Sequence, residues 1–305
     1  MSLSIRAKAF EKLSSRFVCS KPSPLIAIHK IDPKVRENLA TAAAVYLSRN
    51  LSSNRLILDE QELLGTIVDK WKEIPTITPN GMVVPKRHTM LEYNALVRAF
   101  AATIATLNIA DLISSWHIPL NVRIKLGAPD ENNLRRHHPT EHIHSDSWAG
   151  ESSESVTVHI PLFGDTERNR MVFYEPPSQF DEDWLKPLPS YQAGKDIADR
   201  YKKMDCKVQK GELVLADFST LHSSSHFPNA GARASIDTTF VLKKSDAVSE
   251  RIHPWREGER ASDELLRGIG ETHFFVFADS AEQQVDSQGG FKHPTSLQIL
   301  KLLES

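Results

Sequence analysis

The chain has 305 residues and a formal net charge of −2, so it is long enough for one large domain, and no charge excess singles out nucleic acid or an anionic membrane as its partner. Hydrophobic residues are 40% and charged residues 25% of the chain, an ordinary soluble composition that argues against a disordered or membrane-embedded protein. The two cysteines, Cys19 and Cys206, lie far apart without CxxC spacing, which excludes a disulfide framework or a zinc knuckle and suits a reducing cytoplasm.

Residues 1–118 read as helical. Leu3, Phe10, Leu13 and Phe17 share one face of an N-terminal helix that also carries Arg6, Lys8, Lys12 and Arg16. It has no continuous apolar stretch, so it is expected to pack on the domain rather than act as a secretory signal. Asp32 is a good N-cap with Pro33 at the first helical position, where its missing N–H costs nothing. Leu39, Ala43 and Tyr46 then mark the buried face up to about Arg49. Asp59 with Glu62 predicts a second start, with Leu63, Ile67 and Trp71 as its stripe. Pro75, Pro79, Gly81 and Pro85 make a loop. Thr89 with Glu92 opens what reads as the longest helix, with Leu96, Phe100, Ile104 and Leu107 at helical spacing to about Ser114. Thr103, Thr106, Asn108 and Asp111 interrupt its apolar run, which falls short of the roughly 18 residues of a membrane span.

The period changes at residue 120. Asn121 to Leu126 alternates polar and apolar residues, as a half-buried strand does. Gly127 to Pro139 is a polar loop. Ser155 to Leu162 alternates again, with Val156, Val158, Ile160 and Leu162 on one face. Arg170 to Tyr174 is a short strand stopped by Pro176-Pro177. Ser190 caps an expected helix from Tyr191 to Lys203. Cys206 to Val208, Glu212 to Ala216 and Ala234 to Leu242 are further expected strands. Beyond residue 244 the pattern predicts a short helix near Ser262, a strand over His273 to Ala278, a loop over Asp279 to Gly290 and a closing helix over Thr295 to Leu303. Many short strands between turn signals point to a barrel or jelly roll.

One stretch carries chemistry. In His144-Ser145-Asp146, a histidine and an aspartate two apart on an extended segment point to the same side. They make two thirds of a 2-His-1-carboxylate face, which suits Fe(II) with open coordination positions. The third ligand should come from a distant strand, and His222 and His226 both qualify. His138 and His142 have the i,i+4 spacing of a zinc-protease helix, but Pro139 lies between them and the glutamate is absent, so they read as loop residues. His159, on the Thr157 face of its strand, reads as structural. Arg233 and Ser235 share a strand face with Asp237 and Thr239. A buried guanidinium demands a carboxylate, either a protein one such as Asp237 or Asp217, or that of a ligand. Arg123 and Lys125 share the face of their own strand and either bind an acidic group there or are solvated.

His144-x-Asp146, a later His222 and then Arg233-x-Ser235 resemble the signature of the Fe(II)/2-oxoglutarate-dependent oxygenases. The spacing from His222 to Arg233, the run Val156 to Pro161 and Asn169-Arg170-Met171-Val172-Phe173 resemble the branch of phytanoyl-CoA hydroxylase and the streptomycin-biosynthesis hydroxylases. The resemblance covers residues 120–243. It implies an α+β fold with a mainly β core, the double-stranded β-helix (a cupin-like jelly roll), flanked by N-terminal helices. With the helical pattern before it and the mixed pattern after it, the chain is read as a single domain over 1–305, with a helical buttress over 1–118, the core over 119–243 and a C-terminal extension over 244–305. The resemblance makes His144, Asp146 and His222 the catalytic metal ligands, and Arg233 with Ser235 the binder of the far carboxylate of 2-oxoglutarate. Arg123 and Lys125 become candidates for the cosubstrate's other end, and Trp148 a wall of the substrate pocket. The cofactors implied are Fe(II), 2-oxoglutarate and O2. The implied reaction is hydroxylation of an unactivated C–H of a small molecule, with succinate and CO2 released. The Asp146 carboxylate favours hydroxylation over halogenation; desaturation, cyclisation and epimerisation use the same site. The alternatives are an inactive jelly-roll binding protein or a cupin-type metal enzyme that does not use 2-oxoglutarate. Neither nucleic acid nor membrane is expected as partner, and the sequence leaves the oligomeric state open.

Overall fold

The computed structural model describes residues 3–51, 55–74, 76–78, 80–118, 120–128, 134 and 137–243, and beyond these the backbone of 260–261, 273–277, 284–285, 291–292 and 297–301. Four helices build the first third: α1 (Leu3–Ser14), α2 (Pro33–Arg49), α3 (Glu60–Asp69) and α4 (Met90–Ala105). The caps are as expected. The Asp32 carboxylate accepts from Lys34 N and Val35 N, and that of Asp59 accepts from Glu62 N, satisfying N–H groups that the helix leaves open. The Thr89 side chain does not cap α4 but accepts from Lys86 N (3.0 Å) in the 3-10 turn before it, and α4 stops at Ala105 rather than near Ser114. Asn108 takes a left-handed φ of 53°, which asparagine tolerates, and the chain then turns into a strand. At 17 residues, α2 is one longer than α4.

The first 118 residues are not helical throughout. They also contribute β1 (Ser20–Ser23), β2 (Ile26–Lys30), β3 (Met82–Val83) and β4 (Ile113–His117). The strands that follow are β5 (Asn121–Lys125), β6 (Ser155–Gly164), β7 (Asn169–Glu175), β8 (Lys202–Lys203), β9 (Glu212–Asp217), β10 (Leu221–His226) and β11 (Arg233–Leu242). All pairings are antiparallel. The large sheet runs β1-β2-β9-β6-β11-β4, with Arg260–Ala261 beside β4; β5 also pairs with β11, and β3 with β5. The small sheet is β10-β7-β8. Two antiparallel sheets facing each other across a polar interior, with helices on the outside, make the expected jelly roll within an α+β chain.

Four expectations fail locally. The helix expected over Tyr191 to Lys203 is a 3-10 turn (Tyr191–Gly194), one short turn α5 (Lys195–Ala198), and then β8. Residues 206–208 are not a strand; Cys206 and Val208 fill a cluster with Met171, Phe173, Val214 and Ala216. The closing helix is instead strand Leu297–Lys301, paired with His273–Phe277, because a short apolar run reads equally well at either period. Gln284–Val285 pairs with Phe291–Lys292 inside the expected loop, and the helix expected near Ser262 lies outside the described residues.

Period-two alternation divides the large sheet between two tasks. Val122, Ile124, Val156, Val158, Ile160, Ala234, Ile236 and Phe240 face the helices and share one core with Leu39, Leu96 and Phe100. Trp116 is wedged there, edge-on to Phe100 and Phe240. Tyr46 of α2 packs against Tyr93 of α4, and its hydroxyl donates to Val83 O (2.9 Å), tying the helix layer to β3. The alternate residues Arg123, Lys125, His159, Arg233, Ser235 and Asp237 point the other way, into the barrel. Gly81 lets the β3 hairpin lie against β5: with φ 81°, a Cβ there would sit 1.9 Å from Ile124 O.

An ion cluster that hydrophobic periodicity does not reveal fastens α1. Buried Arg6 donates from Nη1 to both Asp217 oxygens (3.0 and 3.1 Å), from Nε and Nη2 to Glu182 (2.7 and 3.1 Å), and from Nη2 to Ser153 O (2.8 Å). Arg6→Met strands the Asp217 carboxylate without its cation. The expected loss is about 3–5 kcal/mol of unfolding free energy, read from the urea midpoint, with Glu182→Gln losing less. Among the described residues no helix is long and apolar enough to cross a membrane.

Candidate active site

His144 and His222 are brought together by the backbone. They form an isolated antiparallel bridge, with His144 N donating to His222 O (2.9 Å) and His222 N to His144 O (2.8 Å). Residues paired this way project their side chains to the same face, and the two rings lie 4.4 Å apart. His226 is four positions further along β10, opposite Asn169, roughly 13 Å down the strand. The structure therefore brings His222, not His226, to His144.

Asp146 is not on the extended segment itself. Ser145 ends that segment and caps a 3-10 turn (Asp146–Ala149): its Oγ accepts from Ser147 N (3.3 Å), meets Ser147 Oγ (2.8 Å) and donates to Phe218 O (3.0 Å). The turn swings the carboxylate to the two rings. Asp146 Oδ1 lies 3.6 Å from His144 Nε2 and 3.7 Å from His222 Nε2. These are too long for hydrogen bonds, yet one ligand atom from each of the three residues falls within 4.8 Å of the others.

The protonation pattern suits a cation. His144 Nδ1 lies 2.7 Å from His142 O, and since a carbonyl only accepts, Nδ1 carries a proton and Nε2 is the nitrogen turned to the other two residues. That Nε2 is buried without any hydrogen-bond partner. Burial pushes His222 down to about 4, against the pull of Asp146, so its ring is neutral at pH 7. Burial alone would raise the Asp146 carboxyl, but His222 and His144 hold it below its usual range. Two imidazoles and one carboxylate on one face are a donor set that suits a non-haem iron ion.

The second half of the site lies along β11. Arg233 is 1% exposed, and its Nε donates to Asn169 Oδ1 (3.3 Å) and its Nη1 to Ser235 Oγ (2.8 Å). Neither carboxylate considered for it from the sequence is its partner. Asp237 takes Arg123 Nε (2.8 Å), and Asp217 takes Arg6. Burial pushes Arg233 down to about 10. Ser235 Oγ lies 3.4 Å from Asp237 Oδ1, so the polar line runs Arg233–Ser235–Asp237–Arg123. Arg123 and Lys125 are not solvated. Lys125 Nζ donates to Thr140 Oγ1 (2.6 Å) and Glu141 Oε1 (2.8 Å), and burial pushes it down to about 8 against Glu141. His159 Nδ1, 3.8 Å from Asp237 Oδ1, is buried and its ring is held down by burial.

Trp148 does not wall an open pocket: it is fully buried, and its Nε1 donates to Trp184 O (2.7 Å). The ring on His144 is Tyr191, stacked at 4.0 Å and 18°. Trp148 backs Tyr191 at 6.5 Å, and Gly194 leaves room for its indole, since a Cβ there would sit 2.3 Å from Cζ3. His137 and His138 serve the same segment: Tyr191 N donates to His137 O (2.9 Å), and the His138 ring meets Tyr191 edge-on. Tyr191 and Asn169 carry no periodic or motif signal of their own; Asn169 shows only as the first residue of the run that resembles the oxygenase pattern.

No family model and no curated protein sequence matches the chain. Solved structures do align with it. EctD from S. alaskensis, with 2-oxoglutarate and 5-hydroxyectoine, is 17% identical over 87% of this chain and 86% of that one, at a TM-score of 0.40. AviO1 from Streptomyces viridochromogenes Tue57 is 14% identical over 80% and 96%, at 0.38. SnoK, a non-heme alpha ketoglutarate dependent carbocyclase from nogalamycin biosynthesis, is 11% identical over 48% of this chain and 55% of its own length, at 0.33.

Two outcomes follow. In anaerobic calorimetry with Co(II), His144→Ala and His222→Ala are expected to weaken binding by more than about 100-fold, whereas His226→Ala leaves it unchanged. Separately, Arg123 holds the Asp237 carboxyl well below the usual range although burial opposes it. Below about pH 4 the unfolded chain takes up a proton that folded Asp237 refuses, so stability is present above that pH and is lost as the pH falls. Asp237→Asn should be less stable at neutral pH and show a shallower acid slope in urea denaturation.

Proposed function

We propose that the chain is a non-haem Fe(II)- and 2-oxoglutarate-dependent oxygenase that hydroxylates an unactivated C–H of a small-molecule substrate, with succinate and CO2 as coproducts. We read residues 1–305 as one domain acting in the cytoplasm, with no nucleic-acid or membrane partner. The observation that carries the reading is Arg233. It is a buried guanidinium with no carboxylate in salt-bridge range among the described residues, and it lines the same barrel as the orphaned His144 Nε2.

Charge matching supports it. Arg123 is met by Asp237 and Lys125 by Glu141, which leaves Arg233 and Asp146 without a charged Arg, Lys, Asp or Glu partner among the described residues. A divalent cation at Asp146 and a dianion reaching Arg233 fill both vacancies and add no net charge. His144, Asp146 and His222 would hold the iron, which supplies O2 activation coupled to decarboxylation of the keto acid, chemistry that side chains lack. Arg233 and Ser235 bind the distal carboxylate, the guanidinium as charge and fork and the hydroxyl as orienter. Arg123 stays paired with Asp237 and sets the electrostatics between the two ends. Tyr191 shields one face of His144 from water.

The reading is tested by following succinate formed from 2-oxoglutarate with Fe(II), ascorbate and O2, without added substrate. Slow turnover is expected in the parent and none in His144→Ala. Arg233→Met should raise the KM for 2-oxoglutarate by about 10–100-fold, the worth of a charged hydrogen bond. No turnover in the parent, together with no 2-oxoglutarate binding by calorimetry, would leave a binding protein on the same fold.

A further inference from the structure

Asn169 is the other side chain that touches Arg233, and it is fully buried at the start of β7 in the small sheet. Its Nδ2 lies 3.0 Å from each of three carbonyls: Lys125 O and Leu126 O at the end of β5, and Gly231 O just before β11. Its two N–H groups are shared among three carbonyl oxygens, and a site that offers only acceptors fixes the amide's orientation, so Oδ1 points the other way, to Arg233 Nε. The backbone around it is equally fixed. Asn169 N donates to Asp165 O (3.1 Å), Asp165 N to Ala232 O (3.0 Å), and Gly231 N to Asp165 Oδ2 (2.8 Å).

We propose that Asn169 is a positioning residue for the cosubstrate: by occupying Arg233 Nε it confines a bound carboxylate to the Nη1/Nη2 edge of the guanidinium. This rests on the oxygenase reading above. Arg233 has five N–H groups; Nε–H goes to Asn169 and one Nη1–H to Ser235, so the side-on edge is taken at Nε, while Nη2 and the second Nη1–H have no acceptor among the described residues. A guanidinium free to rotate would offer either edge and hold the ligand at two depths relative to the metal face. Asn169 is anchored to both strands that carry the barrel's cations, so it also fixes Arg233 against Lys125, its cross-strand neighbour.

The test compares 2-oxoglutarate with 2-oxobutyrate, which lacks the distal carboxylate, by anaerobic calorimetry on Co(II)-loaded parent, Asn169→Ala and Asn169→Asp. Co(II) affinity and thermal midpoint are measured alongside. Both variants lose the three carbonyl bonds and should melt earlier. The expected result is that 2-oxoglutarate binding weakens by about tenfold or more while 2-oxobutyrate and Co(II) binding are unchanged. The loss should be greater in Asn169→Asp, whose carboxylate competes for Arg233. Asn169→Ser provides the same comparison should the alanine variant not fold. Equal weakening of both keto acids, or of neither, would make Asn169 a strut and overturn the proposal. A parent that binds the two keto acids equally, or binds neither, would instead remove Arg233 as a carboxylate site, and the oxygenase reading would fall first.

Discussion

Two main-chain hydrogen bonds between His144 and His222 decide where the candidate metal face is. The segment around His144 is otherwise loop, and this bridge, with Ser224 N donating to Thr140 O (2.7 Å), registers it against β10, which is itself zipped to β7 over six residue pairs. Strand side chains alternate, so a slip of one residue would turn His222 out of the barrel and bring a serine in. What remains free is rotation of the rings. For His144 that freedom is removed by the hydrogen bond from Nδ1 to His142 O and by Tyr191 lying flat against the imidazole. Backbone register thus sets position, local contacts set orientation, and the 3-10 turn capped by Ser145 delivers the carboxylate.

The interior charges are arranged by subtraction. A buried ion is expensive unless paired, and two of the three barrel cations are paired by carboxylates at 2.8 Å. Arg233 is the exception, with neutral oxygens of Asn169 and Ser235 in place of a carboxylate. These stabilise the guanidinium's geometry without cancelling its charge, so its field stays available to a ligand. Acids at either position would satisfy Arg233 and close the site.

The outer half of this arrangement was legible in the sequence and the inner half only in part. Asp32, Asp59 and the alternation in 155–162 and 234–242 identify elements because caps and periods are local properties. Donor chemistry and spacing single out His144 and Asp146 but leave His222 and His226 both open, and the cost of burying a guanidinium singles out Arg233 without naming its partner; the resemblance to the oxygenase signature makes both choices. The strands β1 to β4 were missed because short edge segments such as Ser20–Ser23 have no periodic signature and are defined by their neighbours. Residues 191–203 were misread because their apolar residues, Tyr191 and Ala198, face Trp148 from a turn rather than a helix. Asn169, Glu141, Tyr191 and the Arg6 cluster act through contacts more than 15 residues away in sequence, and one-dimensional spacing does not encode them.

Alternation also explains how the chain tolerates such a site. In β11, Ala234, Ile236 and Phe240 sit in a close-packed core with the helices, while Arg233, Ser235 and Asp237 on the opposite face carry the barrel's polar line. Each apolar side chain buried on the helix side contributes about 1.5–3 kcal/mol. An orphaned buried polar atom such as His144 Nε2 costs about 1–3 kcal/mol. The two scales match, so one strand offsets on its outer face what it and its neighbours give up inside. The helix layer on α2 and α4 is therefore not decoration around a barrel. It lets the interior keep an unpartnered imidazole nitrogen and an uncancelled guanidinium, the two features on which the proposed binding of a metal ion and a dianion rests.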